Sequence, residues 1–181
     1  MPNERDKIDI FLLPGEFRVG TAEYRVRTLL GSCVSITLWS KKHQVGAMSH
    51  FLLATRGRRA HTSLDGRYGE DALKMMLAGL AAMGIAPQEC EAKIFGGASM
   101  FPTLARTHIG VGRANGDLAR RLLEDQGISV KSECLYGSGH RSIIFDIGTG
   151  DVWGRQVRPD EVACATPLQM RHARPGLPAY A

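Results

Sequence analysis

The chain has 181 residues, 44% apolar and 23% charged, with a formal net charge of +5. Those values fit one globular domain that buries a core without disulfides and exclude a collagen-like, low-complexity or disulfide-framework protein. No apolar run approaches the roughly 20 residues that span a bilayer, and the charged start Met1-Pro2-Asn3-Glu4-Arg5-Asp6-Lys7 has no signal-peptide core, so the expectation is a cytoplasmic protein with no direct membrane insertion.

Residues 1–7 read as a disordered N-terminus, and the folded domain is expected over 8–158. Ile8 to Leu13 is a short apolar run stopped by Pro14-Gly15, an edge strand and turn. Tyr24 to Leu30 alternates as a strand. Cys33-Val34-Ser35-Ile36-Thr37-Leu38-Trp39 is rich in β-branched residues and is the clearest strand of the chain. After the polar turn Ser40 to Gln44, Val45 to Leu53 returns as the next strand and carries His50. Residues 54–67 form a polar loop holding Arg56, Arg58, Arg59 and Arg67. No aromatic residue interleaves with these arginines before Tyr68 and no nucleic-acid motif is present, so the stretch reads as a solvated loop or a docking surface for an acidic protein, not a nucleic-acid site.

Leu73, Met76, Leu77, Leu80 and Ala81 lie on one face of a helix that Gly84 stops. Cys90 to Phe95 is a strand, followed by Gly96-Gly97-Ala98-Ser99-Met100-Phe101. A second helix is expected from Gly116 to Gln126, with Asn115 as its N-cap and Gly127 as its end. Ile128 to Leu135, Arg141 to Ile147 and Asp151 to Val157 read as strands, the last two joined by the turn Gly148-Thr149-Gly150. Residues 159–181, with Pro159, Pro167, Pro175 and Pro178, read as an irregular tail. Strands grouped in hairpins around two amphipathic helices predict an α/β fold: a single-domain α-β sandwich with mixed or antiparallel sheets flanked by helices.

The chemistry concentrates on Cys33 and His50. A cysteine and a histidine on neighbouring antiparallel strands are the minimum for a thiolate nucleophile with its own base. Gly31 and Ser32 leave the flank of the cysteine open, and a tight turn there lets backbone N–H groups converge on an oxyanion beside the sulfur. Each residue also has a plain alternative, a small buried hydrophobe for Cys33 and a satisfied core histidine for His50. Register decides between them, because a slip of one residue puts the two side chains on opposite faces. The other five histidines (His43, His61, His108, His140 and His172) fall in expected loops, turns or the tail. The four cysteines, Cys33, Cys90, Cys134 and Cys164, contain no Cys-x-x-Cys pair, so no metal site is expected. Gly96-Gly97-Ala98-Ser99 lacks both the P-loop ending and the dinucleotide spacing. It reads as a tight turn approaching the site, with Ser32, Gly97 and Ser99 as candidate substrate contacts.

Leu30-Gly31-Ser32-Cys33-Val34, then Gly46-Ala47-Met48-Ser49-His50, then Ala92-Lys93-Ile94-Phe95-Gly96-Gly97-Ala98-Ser99-Met100-Phe101, with Gly137 and Arg141-Ser142 beyond them, resemble the CheD family of chemoreceptor glutamine deamidases over residues 8–157. The resemblance implies an α/β sandwich related to bacterial toxin deamidases. It implies Cys33 as nucleophile, His50 as base, and deamidation of receptor glutamines through a cysteine thioester, with no metal or organic cofactor. The family's third catalytic residue is a threonine shortly before the cysteine. Thr28 stands five residues upstream here, and Arg27 six. The run Ile109-Gly110-Val111-Gly112-Arg113-Ala114-Asn115 is longer than the family's Ile-Gly-x-Arg-Asn. The implied partners are methyl-accepting chemotaxis receptors and a CheC-type phosphatase. Two other readings remain: a non-enzymatic chemotaxis regulator on the same fold, and a thiol hydrolase or redox protein of another class.

Overall fold

The computed structural model describes residues 7–56, 63–99, 110–157 and 179–180. In chain order its elements are β1 (Ile8–Phe11), β2 (Phe17–Gly20), β3 (Tyr24–Leu30), β4 (Val34–Ser40), β5 (Val45–Ser49), α1 (Gly69–Ala82), a 3-10 turn (Pro87–Glu89), β6 (Glu91–Gly96), α2 (Val111–Asp125), β7 (Ser129–Leu135), β8 (His140–Asp146), β9 (Val152–Val157) and β10 (Ala179–Tyr180). They form two five-stranded sheets, ordered β1-β3-β8-β9-β10 and β2-β5-β4-β6-β7. Both sheets are mixed. β1 runs parallel to β3 and β6 parallel to β7, while β3–β8 and β4–β5 are among the antiparallel pairs.

Strand alternation sorts the side chains into two cores. Val34, Ile36 and Leu38 of β4 join Val45, Ala47 and Phe51 under Met76 and Leu80 of α1 and Ala119 and Leu123 of α2. On the opposite face, Met48 and Phe95 meet Val26, Leu30, Ile143, Phe145 and Val152 of the first sheet. β4 is thus covered on both sides: Val34, Ile36 and Leu38 alternate with Ser35 and Thr37, yet all five are buried. α1 packs on β2 and β5, and α2 on β4, β6 and β7, so both flanking helices lie on the second sheet.

Several local expectations change. β2 is an additional edge strand, too short and too polar to stand out in Phe17-Arg18-Val19-Gly20. α2 begins at Val111 with Gly110 as its extended cap, so Asn115 lies inside the helix and is not its N-cap. Gly112, a poor helix former, hides that early start. It is needed because a Cβ there would come within 2.5 Å of the Gly97 carbonyl oxygen. Lys7, expected within the disordered start, instead has its side chain largely covered, with its ammonium 2.8 Å from Asp146 and 2.6 Å from the Ala22 carbonyl. Within the tail expected to be irregular, Ala179 and Tyr180 pair with Trp153 and Val152. Residues 1–6 and 158–178 lie outside the described residues, as do Arg58, Arg59, Met100 and Phe101.

Candidate active site

The β4–β5 hairpin sets the register that sequence left open. Thr37 lies opposite Met48 and Ser40 opposite Val45. The same register continues as a bridge between Val34 and Phe51, closed by two hydrogen bonds of 3.0 Å. Val34 and Phe51 face the helix-side core. Their neighbours Cys33 and His50 therefore face the other way, into the inter-sheet layer, as Met48 does two residues earlier. Cys33 and His50 are diagonal neighbours across the hairpin, at a backbone separation of about 7 Å.

His50 lies one residue past β5, not within a strand as the sequence suggested. Its N–H and C=O point away from β4, toward the turn after β1. The His50 N–H donates to the Glu16 carbonyl at 2.9 Å, and the Gly15 N–H donates to the His50 carbonyl at 2.7 Å. From the opposite sheet, β3 brings in Thr28, which is buried. Thr28 Oγ1 lies 2.7 Å from the Leu12 carbonyl oxygen and 2.7 Å from His50 Nδ1. A hydroxyl has one proton, and a carbonyl can only accept. Oγ1 therefore donates to Leu12 and accepts from Nδ1–H. This fixes the tautomer and leaves the lone pair on Nε2, which is buried with no hydrogen-bond partner among the described residues.

The Cys33 backbone is held carbonyl by carbonyl. The Ala98 N–H donates to Gly31 O at 2.9 Å and the Gly97 N–H to Cys33 O at 2.8 Å. Between them, Asn115 Nδ2 donates to Ser32 O at 3.1 Å. Gly96 has φ +114°, and a Cβ there would stand 2.2 Å from the Cys33 carbonyl oxygen, so the Gly96-Gly97 segment can close on Cys33 only as glycine. Ser99 sits on the same segment, its N–H donating to Gly137 O at 2.8 Å.

Burial pushes the Cys33 thiol above its ordinary range, with its own backbone N–H pulling the other way. Burial also pushes His50 below its ordinary range, against the Leu12 carbonyl and the Glu16 carboxylate. Both shifts favour a neutral thiol beside a neutral imidazole. Among the described residues no three His, Cys, Asp or Glu side chains come together as a metal would require, and no described helix is long and apolar enough to cross a membrane.

Residues 52–156 match the family model described as CheD chemotactic sensory transduction. The chain is also 53% identical over 161 residues to an Albidiferax ferrireducens protein named "Probable chemoreceptor glutamine deamidase CheD 2", covering 88% of this chain and 93% of that one. A stretch that long in 181 residues includes both Cys33 and His50. The chain belongs to the CheD family. Similarly named relatives from Dechloromonas aromatica and Thermococcus kodakarensis are 43% and 34% identical, covering 80% and 81% of this chain and 85% and 96% of theirs.

This CheD chain uses parts that sequence reasoning passed over. Asn115 is fully buried and bonds the Cys33 loop. The signal for it was available: Asn115, Leu118, Ala119 and Leu122 share one helical face, which makes the asparagine a polar residue on an apolar stripe. Arg141, buried on β8, reaches across to the carbonyls of Gly96 (3.3 Å), Cys134 and Tyr136 (2.6 Å) at the ends of β6 and β7. The expected basic face is reduced. Arg56 is ion-paired with Asp71 (3.0 Å) and Asp65 (3.5 Å), and Arg67 with Asp65 (2.6 Å). The Arg67 hydrogen bonds hold Asp65 down at about 2. Both arginines have carboxylates of their own and are not free to steer an acidic partner.

Proposed function

We propose that this CheD-family chain deamidates chemoreceptor glutamine side chains with Cys33 as nucleophile, His50 as general base and Thr28 as the residue that orients it. One observation carries the reading. Thr28 Oγ1 accepts a hydrogen bond from the Nδ1–H of a buried His50, and Nε2 is left unpartnered among the described residues, on the sheet face that Cys33 shares.

His50 Nε2 takes the thiol proton as Sγ bonds to the amide carbon of the glutamine side chain. The carbonyl π electrons move to oxygen, and the Cys33 backbone N–H stabilises that oxyanion. When the carbonyl re-forms, the C–N bond breaks and the His50 proton goes to nitrogen, releasing ammonia and leaving a thioester. Water then adds to the thioester with His50 again taking a proton. The C–S bond breaks, the proton returns to sulfur, and the side chain is now glutamate. Ser32 and Ser99, on the two segments that meet at Cys33, contact the receptor side chain. Gly97, whose N–H is engaged by the Cys33 carbonyl, shapes the approach.

The family resemblance adds two expectations, a cytoplasmic setting and a CheC-type phosphatase as a second partner. Co-purification of that phosphatase from cell extract tests the latter. The central test incubates the purified chain with a cytoplasmic chemoreceptor fragment and reads glutamine-to-glutamate conversion by mass spectrometry, with Cys33→Ala in parallel. Conversion at defined glutamines by the wild type alone is expected. Equal conversion by Cys33→Ala rejects the nucleophile, and receptor binding without any conversion points to a non-enzymatic regulator.

A further inference from the structure

We infer that Asn115 is a positioning residue that locks the Ser32–Cys33 peptide plane so that the Cys33 N–H faces the reacting carbonyl as an oxyanion donor. The inference rests on the reading of Cys33 as nucleophile.

Asn115 sits in the second turn of α2 and is fully buried. Its Nδ2 donates twice, to Leu52 O at 2.7 Å and to Ser32 O at 3.1 Å. These acceptors lie just before β4 and just after β5, at the open end of the hairpin. Beyond the Val34–Phe51 bridge the next facing residues are Cys33 and Leu52, and here the ladder stops. The asparagine amide takes the place of the next ladder bonds and clamps the two chains where Cys33 stands. Both partners are carbonyls, which only accept, so the NH2 end must face them. Oδ1 then points away, buried and without a hydrogen-bond partner among the described residues. A buried acceptor left unpaired is costly. An apolar residue would serve packing on this helix stripe better, so the amide is retained for what its two donors hold.

What they hold is one plane of the nucleophile loop. In a trans peptide the C=O and the next N–H point in opposite directions. The helix-side asparagine draws Ser32 O toward α2, which turns the Cys33 N–H away from α2 and toward its own sulfur. That N–H does act on the thiol, favouring its charged form. The flanking carbonyls, Gly31 O and Cys33 O, are held by the Ala98 and Gly97 backbone N–H groups. The middle plane alone is set by a side chain, and it is the plane that carries the donor.

The test separates two reactions of the same sulfur. Deamidation of the receptor fragment passes through an oxyanion; alkylation of Cys33 by iodoacetamide displaces iodide at a saturated carbon and forms none. Asn115→Ala, and Asn115→Ser as a second variant, are assayed on material with the wild-type near-UV circular dichroism spectrum. The expected result is a fall of about a hundredfold in kcat, the scale of losing one oxyanion donor, with KM unchanged and the alkylation rate lowered far less, since the same N–H is only a secondary support of the thiolate. Equal slowing of both reactions, or wild-type deamidation, overturns the inference while leaving Cys33 as nucleophile. Failure of both variants to fold makes Asn115 a fold determinant and also overturns it. Full conversion by Cys33→Ala is a different failure, that of the nucleophile itself.

Discussion

The two ends of the consecutive strands β3 and β4, which lie in opposite sheets, both bury polar side chains, and they treat them differently. At the Tyr24 and Trp39 end the charged groups and the indole have their partners, while the Ser40 hydroxyl is buried with none among the described residues. Asp146 Oδ1 accepts from Lys7 (2.8 Å), from the Gly148 N–H (2.8 Å) and from the Thr149 N–H (3.3 Å), and Trp39 Nε1 donates to Ile147 O at 2.8 Å. At the Leu30 and Val34 end, Thr28 is bonded on both sides, but His50 and Asn115 are bonded on one side only. His50 Nε2 and Asn115 Oδ1 are buried and have no partner among the described residues. A buried polar group that is fully bonded adds rigidity, whereas one with an idle atom costs stability. The Lys7–Asp146 ion pair ties down one end of the sandwich, while the idle imidazole and amide atoms at the other end fit the proposed chemistry.

Substitutions at the two ends should therefore separate activity from stability. The largest effect is expected at Cys33. Cys33→Ala should lower receptor deamidation by more than a thousandfold while the free energy of unfolding moves by less than about 1 kcal/mol. Paired assays by mass spectrometry and urea titration check this. Large losses in both would mean that this end also serves the fold. Thr28→Val comes next. It keeps the shape of the side chain and removes the acceptor for His50 Nδ1–H, so the imidazole loses its fixed tautomer. A loss of about a hundredfold in kcat is expected, with KM unchanged. A variant within twofold of wild type would show that the Leu12 carbonyl alone suffices to orient the ring.

How far these contrasts were legible in sequence depends on reach. β3, β4 and β5 were readable because each residue's preference is local and the pattern has period two. The shared face of Cys33 and His50 was not, since it depends on the register of a turn. Thr28 meets His50 across two sheets and 22 residues, and only family resemblance pointed to it. Asn115 meets Leu52 across 63 residues and Ser32 across 83, and two glycines in its helix masked the helical start. The arginine loop was read from charge alone, although Asp65 and Asp71, which neutralise Arg56 and Arg67, follow in the same stretch.

At the Lys7–Asp146 end the balance reverses. The Lys7–Asp146 pair has side-chain exposures of 7% and 11%, so removing the ammonium leaves a carboxylate buried without its counter-charge. Lys7→Met should cost about 2–3 kcal/mol, or roughly 5–10 °C in Tm, by thermal unfolding. The kcat of deamidation, measured well below the new Tm, should stay at the wild-type value. A Tm within 1–2 °C of wild type would mean that water replaces the lysine, and that this end is less closed than its geometry implies.

The smallest effect is a displacement in pH. His50 is lowered chiefly by burial, so the folded protein keeps the imidazole neutral to lower pH than the unfolded chain, whose value is the ordinary 6.5. Two consequences carry the same sign. Below 6.5 the unfolded chain binds the proton first, so the stability linked to His50 is present above 6.5 and is lost as pH falls through the folded value. The base at Nε2 also stays unprotonated below 6.5, so the acid limb of kcat/KM for receptor deamidation should bend below that pH. Cys33, raised by burial, adds no acid limb of its own, because thiol and imidazole start neutral and the proton moves between them only during attack. A profile on the receptor fragment from pH 5 to 8 decides it. An acid limb centred at or above 6.5 would mean that water reaches the imidazole in solution, and that the end of the sandwich holding Cys33 is open to solvent rather than merely unpaired.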